Sequence, residues 1–171
     1  MEMLPGAFRP KAAVEGLEVV HVQEPYAELA KFMHILVGHP WRWGGRKTWT
    51  ASDWETHVSD PNYVMLLAQF SGSPVGYSEM ATEETGDVQI HTMGLAPQFV
   101  GKGLGGAFLS AVVAHAWTLT STRVWLSTCS HDHPHARANY EARGFKVFET
   151  VEGDDNPSLP GFWDLVADRG A

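Results

Sequence analysis

The feature that most constrains this chain is a cluster of four glycines in the segment GKGLGG, residues 101–106. From Leu104 onward, Phe108 and Val112 recur at helical spacing, which predicts an amphipathic helix packed against a sheet. The start of such a helix presents unpaired backbone N–H groups and the positive end of its dipole, so it binds phosphate without basic side chains. Glycine removes the Cβ atoms that would keep a diphosphate away from those groups.

The same glycines also fit a different phosphate-binding pattern. Gly101-x-Gly103-x-x-Gly106 matches the dinucleotide-binding fingerprint, which is a weak signal by itself. That fingerprint opens a parallel β-α-β unit near the start of a doubly wound sheet, with an acidic residue about 20 residues further on. Here about a hundred residues precede the loop, and the first acidic residue after it is the more distant Asp132. A dinucleotide-binding protein is therefore the weaker alternative.

The remaining pattern predicts one α/β domain over residues 1–171, with a mixed, mainly antiparallel sheet flanked by helices and an irregular lead-in at 1–15. Strands are predicted at 16–24, 63–70, 75–81, 88–95, 123–130, 145–152 and 161–168. Helices are predicted at 26–37, at 53–59, after the glycine loop and at 135–143. Ser52-Asp-Trp-Glu55 has the form of a capping box for the second helix. The element order is β-α-α-β-β-β-α-β-α-β-β.

Composition excludes several classes of function. The formal net charge is −8 and the basic residues are scattered, which argues against a nucleic-acid surface. No apolar run reaches the roughly 18 residues needed to span a bilayer, and the N-terminal residues lack the pattern of a secretory signal. We therefore expect a cytoplasmic protein with no membrane partner. Cys129 is the sole cysteine, which excludes an intrachain disulfide and a zinc site built from thiolates.

Two motifs occur in order and are separated by a strand. Gln98-Phe-Val-Gly101-Lys-Gly103 matches the pattern Q/R-x-x-G-x-G/A. The pattern N-x-x-A-x-x-x-Y-E-x-x-G-F is matched further on at Ala136, Tyr140, Glu141, Gly144 and Phe145. Together they resemble the two motifs of the GNAT family of N-acetyltransferases. The resemblance covers about residues 16–152 and implies a GNAT-type fold with acetyl-CoA as co-substrate.

Two positions depart from the family pattern. Val100 stands where arginine is frequent, so a diphosphate would depend more on backbone amides. His133 stands where the second motif usually has asparagine, within a stretch, 128–136, that resembles a bacterial subgroup carrying T-C-x-x-D-H-P-x-A. The histidines of this stretch beside Asp132 are a weak metal-site pattern, because Pro134 interrupts them and Asp132 also suits a helix cap. We expect no metal.

The resemblance implies a donor site made of one strand end and the glycine loop. Backbone groups of Met93, Gly94 and Leu95 would pair with the pantetheine arm as if it were an added strand, with a bulge expected at Gly94. The diphosphate would lie along the loop, on Val100, Gly101, Lys102, Gly103, Leu104, Gly105 and Gly106. His133 belongs to the same donor side.

The implied reaction is direct attack by a primary amine, of a small molecule or a peptide, on the acetyl thioester. It requires a base for the amine and an acid for the departing thiolate. Tyr140 matches the family tyrosine and is the predicted acid. Glu79, on the preceding strand, is the first candidate base. His91 is the second, because its ordinary pKa is near neutral, and Gln89 occupies the position where related chains carry a carboxylate.

The sequence does not name the acceptor. An aromatic and basic loop, 41–49, lies where this family usually builds the acceptor wall, and Trp rings pack against sugars, aromatic rings or cationic amines. The same rings are equally consistent with a minor core under a loop. Because the base is unsettled, a non-catalytic acetyl-CoA-binding module stays open as an alternative. The oligomeric state is also open, a homodimer being one option.

Overall fold

The computed structural model describes residues 1–152, which form a six-stranded mixed sheet with helices on both faces. The strands are β1 (Glu2–Met3), β2 (Leu17–His21), β3 (Tyr63–Phe70), β4 (Ser73–Thr82), β5 (Val88–Leu95) and β6 (Val124–Leu126). The α-helices are α1 (Ala27–Gly38), α2 (Ala51–Val58), α3 (Gly105–Leu119) and α4 (Ala136–Arg143). The strand order is β1-β6-β5-β4-β3-β2, and among these described strands only β5 and β6 pair in parallel. The predicted fold class is confirmed.

Two hydrophobic clusters hold the helices on opposite faces of the sheet. On one face, α3 buries Phe108 and Val112 completely against strand residues that include Met80. On the other, α1 packs Met33 against Tyr77 of β4. Each such side chain contributes about 1.5–3 kcal/mol when removed from water. Since α3 follows the glycine loop directly, this packing fixes the loop at the edge of the parallel strand pair.

The first residues are part of the sheet, so the prediction of an irregular lead-in is wrong for this segment. Glu2 pairs with Trp125 and Met3 with Val124. The backbone N–H of Leu126 donates to the Met1 carbonyl at 2.9 Å. A strand of two residues has no periodic pattern of its own, so only the tertiary structure reveals it.

Three local predictions differ from the structure. Helix α2 is capped by a box between Thr50 and Asp53, two positions before the predicted one, and the Asp53 carboxylate accepts from the Thr50 N–H at 2.7 Å. Strand β6 ends at Leu126, well short of the predicted residue 130. The predicted strand 145–152 appears only as a bridge between Lys146 and Glu2. The predicted strand 161–168 lies outside the described residues.

Candidate active site

The sheet opens between β5 and β6 into a cleft of about 940 Å³. The two strands pair only as far as Ile90 and Leu126, after which β6 ends and β5 continues to Leu95. One edge of 93–95 pairs with β4, and the other faces the cleft without a strand partner in the described part of the chain. An extended ligand can add to such an edge through main-chain hydrogen bonds.

A β-bulge in β5 sets the direction of the side chains in this cleft. Thr92 pairs with Glu79, but the next pair is Met80 with Ile90, so His91 is the additional residue. Beyond the bulge the alternation is reset: Thr92 lies on the face of Glu79, and its hydroxyl donates to that carboxylate at 3.2 Å. The imidazole of His91 is left exposed and lines the cleft.

The bulge was expected at Gly94, and that prediction is wrong, because Gly94 is in regular register with Tyr77. The glycine has another role. A Cβ at this position would lie 2.6 Å from Cγ1 of Val37, so its absence lets α1 pack closely on β5. This contact holds α1, which leads into the aromatic loop beside the cleft, against β5.

The glycine loop lies at the other end of the cleft. Gly101 and Gly103 have φ values of 80° and 79°, in the left-handed region that strongly favours glycine. Helix α3 begins at Gly105 with no side-chain cap and no acidic residue in its first turn. Its N-terminus therefore keeps the amide donors and the positive dipole end that suit a phosphate.

The seven predicted loop residues do not all face the cleft. Those that line it are Val100, Gly101, Gly103, Gly105 and Gly106. Leu104 is 2% exposed and belongs to the core. The ammonium of Lys102 lies 4.8 Å from the ring centroid of Phe99, outside the cleft lining. Neither side chain lines the cleft in this structure, so what these two residues present to it is their backbone.

Tyr140 lies at the inner wall of the cleft. It is 9% exposed, packs against Phe145, and lines the cavity. Burial raises the pKa of the Tyr140 phenol well above its usual value, and the nearby Asp132 carboxylate raises it further. The phenol thus stays protonated at neutral pH and is able to donate.

Glu79 is fully buried and enclosed by a polar network rather than open to the cleft. Its carboxylate accepts from the Arg46 guanidinium at 2.6 Å and from the Tyr63 hydroxyl at 2.9 Å. His57 Nε2 lies 3.5 Å away. Burial alone would raise the pKa of Glu79, but the His57 imidazole and the Arg46 charge outweigh it and lower the pKa to about 2. A carboxylate so placed is unsuited to accept a proton from a ligand in the cleft.

Two of the histidines that line the cleft, His91 and His34, have lowered pKa values. Desolvation lowers the pKa of His91, and the charge of Arg46 lowers it further. His34, which the sequence analysis did not single out, is buried, with Nδ1 2.8 Å from the Tyr77 hydroxyl and Nε2 3.2 Å from the Trp43 carbonyl. Burial, followed by the charge of Arg46, lowers the pKa of His34 to about 4. A single histidine among the apolar residues of a predicted helix gives no signal in the sequence that it will line a cleft.

Asp132 joins the segment between α1 and α2 to the segment between β6 and α4. One carboxylate oxygen accepts from Thr128 Oγ1 at 2.7 Å and from the Cys129 N–H at 3.2 Å. The other accepts from Trp43 Nε1 at 3.4 Å. Helix α4 has no side-chain cap, so Asp132 does not serve as one. The ring of His133 contacts Trp41 at a centroid distance of 5.2 Å, which ties the same two loops together a second time.

Three further polar residues line the cleft beside the glycine loop, and the sequence analysis missed them: Lys11, Asn139 and Arg143. Asn139 Nδ2 donates to the Gly105 carbonyl at 3.4 Å. Lys11 comes from the segment before β2, so only the fold brings it here.

Within residues 1–152 no group of three or more His, Cys, Asp or Glu side chains is arranged to hold a metal, and no helix there has the length and apolar character to cross a bilayer.

The model of the acetyltransferase (GNAT) family matches residues 28–145. The chain belongs to the GNAT family. The GNAT model therefore spans both sequence motifs together with β3, β4, β5 and β6, which carry the cleft.

Related chains agree with GNAT membership. An uncharacterized N-acetyltransferase of Mycobacterium bovis is 30% identical over 91 residues, which are 53% of this chain and 58% of that protein. An uncharacterized N-acetyltransferase of Mycobacterium tuberculosis matches with the same figures. The match thus spans little more than half the length of these curated relatives.

Solved structures show the GNAT fold at low sequence identity. An aminoglycoside acetyltransferase from an uncultured soil metagenomic sample, in complex with trehalose, aligns with a TM-score of 0.64 at 12% identity, covering 82% of this chain and 95% of that chain. The PaiA N-acetyltransferase of Thermoplasma acidophilum, in complex with coenzyme A, aligns with a TM-score of 0.61 at 14% identity, covering 79% and 92%. At these identities the likeness establishes the fold alone.

The fold explains why the second GNAT motif has a glycine at position 144. Gly144 has a φ of 109° and ends α4. A Cβ at this position would collide with the carbonyl oxygen of Ala7. The glycine therefore admits the N-terminal segment, which passes over the end of α4 on its way to the glycine loop.

Proposed function

We propose that this chain transfers an acetyl group from acetyl-CoA to the primary amine of a small molecule or peptide by direct attack. The observation that carries the proposal is the opening of the sheet beyond Ile90 and Leu126, which leaves an edge of β5 without a strand partner among residues 1–152, leading to the glycine loop. GNAT membership and the coenzyme A complex of one structural neighbour support it.

The cleft suits the shape and chemistry of the donor. The free edge of Met93, Gly94 and Leu95 offers main-chain groups to the amides of a pantetheine arm. The glycine loop and the uncapped start of α3 offer amide donors to its diphosphate. The thioester then lies near the bulge, between His91 and Tyr140, both of which line the cleft.

We assign the base to His91 rather than to Glu79. A lysine-like amine with a pKa of about 10.4 is almost entirely protonated at neutral pH, so it must lose a proton before or during attack. His91 is exposed in the cleft, and its lowered pKa keeps the imidazole free to accept that proton directly or through water. Glu79 is buried against Arg46 and outside the cleft lining.

Tyr140 is the proposed acid. As the amine nitrogen bonds to the carbonyl carbon, the carbon–sulfur bond breaks and the departing thiolate takes the phenol proton. Burial keeps the pKa of Tyr140 high, so the proton is present on the phenol when the sulfur leaves. A backbone N–H of β5 near Leu95 is the proposed donor to the carbonyl oxygen as its charge develops.

The acceptor enters on the aromatic side of the cleft, where Trp41, Trp43 and Arg46 form the wall. Indole faces suit the ring of a sugar or the cation of an amine. A structural neighbour is an aminoglycoside acetyltransferase solved with sisomicin, so aminoglycosides belong among the acceptors to test.

A non-catalytic acetyl-CoA-binding module is the second candidate. The observation that favours it is the engagement of Glu79 by Arg46, together with an amide, Gln89, at the position where related chains carry a carboxylate. Under this alternative the donor binds and no acceptor is acetylated.

The test measures CoA thiol release with polyamines, aminoglycosides, amino acids and peptide N-termini, alongside acetyl-CoA binding by calorimetry. We expect binding and release with at least one amine. Binding without release across the panel would favour the module, and absence of binding would overturn both candidates. Gly103→Val should abolish binding, because valine is strained at a φ of 79° and fills the loop. Gly86→Val introduces equal strain at a φ of 85° in the β4–β5 turn and should leave binding unchanged.

A further inference from the structure

We infer that Lys11 and Arg143 form a cation pair that binds the diphosphate of the donor, in place of the arginine that is frequent at the position of Val100. The inference rests on the proposed function and adds two binding residues to it. One of them lies outside the region that the GNAT model matches.

Lys11 is held at the glycine loop by its own backbone. Its N–H donates to Ser110 Oγ at 2.8 Å, and that hydroxyl donates to the Gly106 carbonyl at 2.8 Å. The ammonium of Lys11 donates to the Gly103 carbonyl at 3.4 Å. The ammonium of Lys11 therefore lies next to the glycine loop.

Arg143 reaches the same point from the other side. It is the last residue of α4, and its carbonyl accepts from the Arg9 N–H at 2.9 Å, which fixes the N-terminal segment against the helix end. A Cβ on Gly106 would lie 2.8 Å from Arg143 Nη1 and 2.8 Å from Lys11 Cδ. The two side chains thus meet over Gly106 at the start of α3.

Nothing in the described part of the chain neutralises this pair. Residues 1–152 contain no carboxylate in an ion pair with Lys11 or Arg143, although the chain as a whole is acidic. The buried Nε of Arg143 has no hydrogen-bond partner there either. Two like charges beside the positive end of a helix repel each other, and an anion bound between them would reverse that repulsion.

The uncharged side chain of Val100 explains why cations from other parts of the chain are needed at the loop. It lines the cleft but brings no charge. Lys11 and Arg143 return positive charge to the loop from two distant parts of the sequence, and guanidinium and ammonium groups both bind phosphate through charge-assisted hydrogen bonds. The pair therefore supplies the electrostatic attraction that backbone amides alone would provide more weakly.

The test compares the affinities of CoA and dephospho-CoA for wild type, Lys11→Met, Arg143→Met and the double variant. We expect each single variant to weaken both ligands about tenfold and the double variant to weaken them about a hundredfold, with a smaller dependence on salt. Lys31→Met, which removes one exposed charge from α1, should bind like wild type.

Each outcome decides a separate point. A loss confined to CoA would place the cations at the 3′-phosphate and overturn the diphosphate assignment. Unchanged affinity of Lys11→Met, whose exposed side chain is not required for packing, would overturn the role of that residue. Failure of the wild type to bind CoA would instead overturn the proposed function. Arg143→Lys keeps the charge and should retain most of the affinity, which separates charge from folding.

Discussion

Arg46 Nη1 lies 2.6 Å from Glu79 Oε2, and this ion pair fixes the aromatic side of the cleft to the middle of the sheet. The guanidinium also lies 4.7 Å and 5.4 Å from the ring centroids of Trp49 and Trp54. Of the two residues in this ion pair, Arg46 lines the cleft and Glu79 is buried outside its lining. Glu79 therefore acts on the site by positioning Arg46.

Glu79→Gln should lower the free energy of unfolding by about 3 kcal/mol at pH 7, because it leaves the partly buried Arg46 guanidinium without its counter-charge. The folded-state pKa of Glu79 is depressed to about 2 from an ordinary 4.5, so its stabilisation is present above pH 4.5 and is lost as the pH falls toward 2. The difference in the free energy of unfolding between wild type and variant, measured with urea, should therefore decrease as the pH falls through that window. Exposed Glu55→Gln is the control, and an equally small effect of both variants would contradict the prediction.

His34 should make the protein less stable as the pH falls from 6.5 to about 4. Its pKa is depressed to about 4, so between these pH values the unfolded chain binds a proton that the folded state does not. The free energy of unfolding therefore falls by about 3 kcal/mol across this window. His34→Gln can keep the hydrogen bonds to Tyr77 and Trp43 without titrating. The free energy of unfolding of His34→Gln, measured with urea at each pH, should fall by about 3 kcal/mol less than that of wild type over this window. An equal fall in both proteins would refute the argument.

His91→Gln should remove the acidic limb of the rate profile. In the wild type, kcat/KM should rise with pH and level off above an apparent pKa lower than 6.5, as the imidazole loses its proton. The variant should lose about a hundredfold in kcat with donor affinity unchanged. His115, whose pKa is also lowered, lies outside the cleft lining, so His115→Gln should keep the limb. A wild-type profile for His91→Gln would exclude it as the base.

Tyr140→Phe should lower kcat by about a hundredfold and change donor affinity less than twofold. The phenyl ring keeps the packing against Phe145, and the substitution removes only the hydroxyl. Steady-state kinetics with acetyl-CoA and calorimetry with CoA provide the two readouts. Turnover at the wild-type level would show that the phenol proton is not used.

Gly144→Ala should destabilise the protein by about 3 kcal/mol, because the new methyl group meets the Ala7 carbonyl in addition to the strain at a φ of 109°. Gly6→Ala is the matched control, since Gly6 has a φ of 79° with open space around it and should lose only about 1 kcal/mol. Thermal unfolding measures both. Equal losses would mean that the contact with the N-terminal segment is unimportant.

The sequence was sufficient for features that depend on local pattern. The glycine loop, the helix after it and the β3–β4–β5 meander all follow from spacing and turn residues. The bulge at His91 could not be predicted, because it arises from the register of β5 against β4. The burial of Glu79 could not be predicted either, since its partner Arg46 comes from a loop distant in sequence. Polar residues on strands are ambiguous until their cross-chain partners are known.

The N-terminal segment also matters for choosing domain boundaries. Residues 28–145, the part that the family model matches, omit β1, β2 and Lys11. A protein shortened to that region would expose the outer edges of β3 and β6 and leave Gly144 facing solvent. Comparisons among relatives that align only the matched region will miss whatever stands at the position of Lys11, so differences in donor affinity between them should be sought upstream of it.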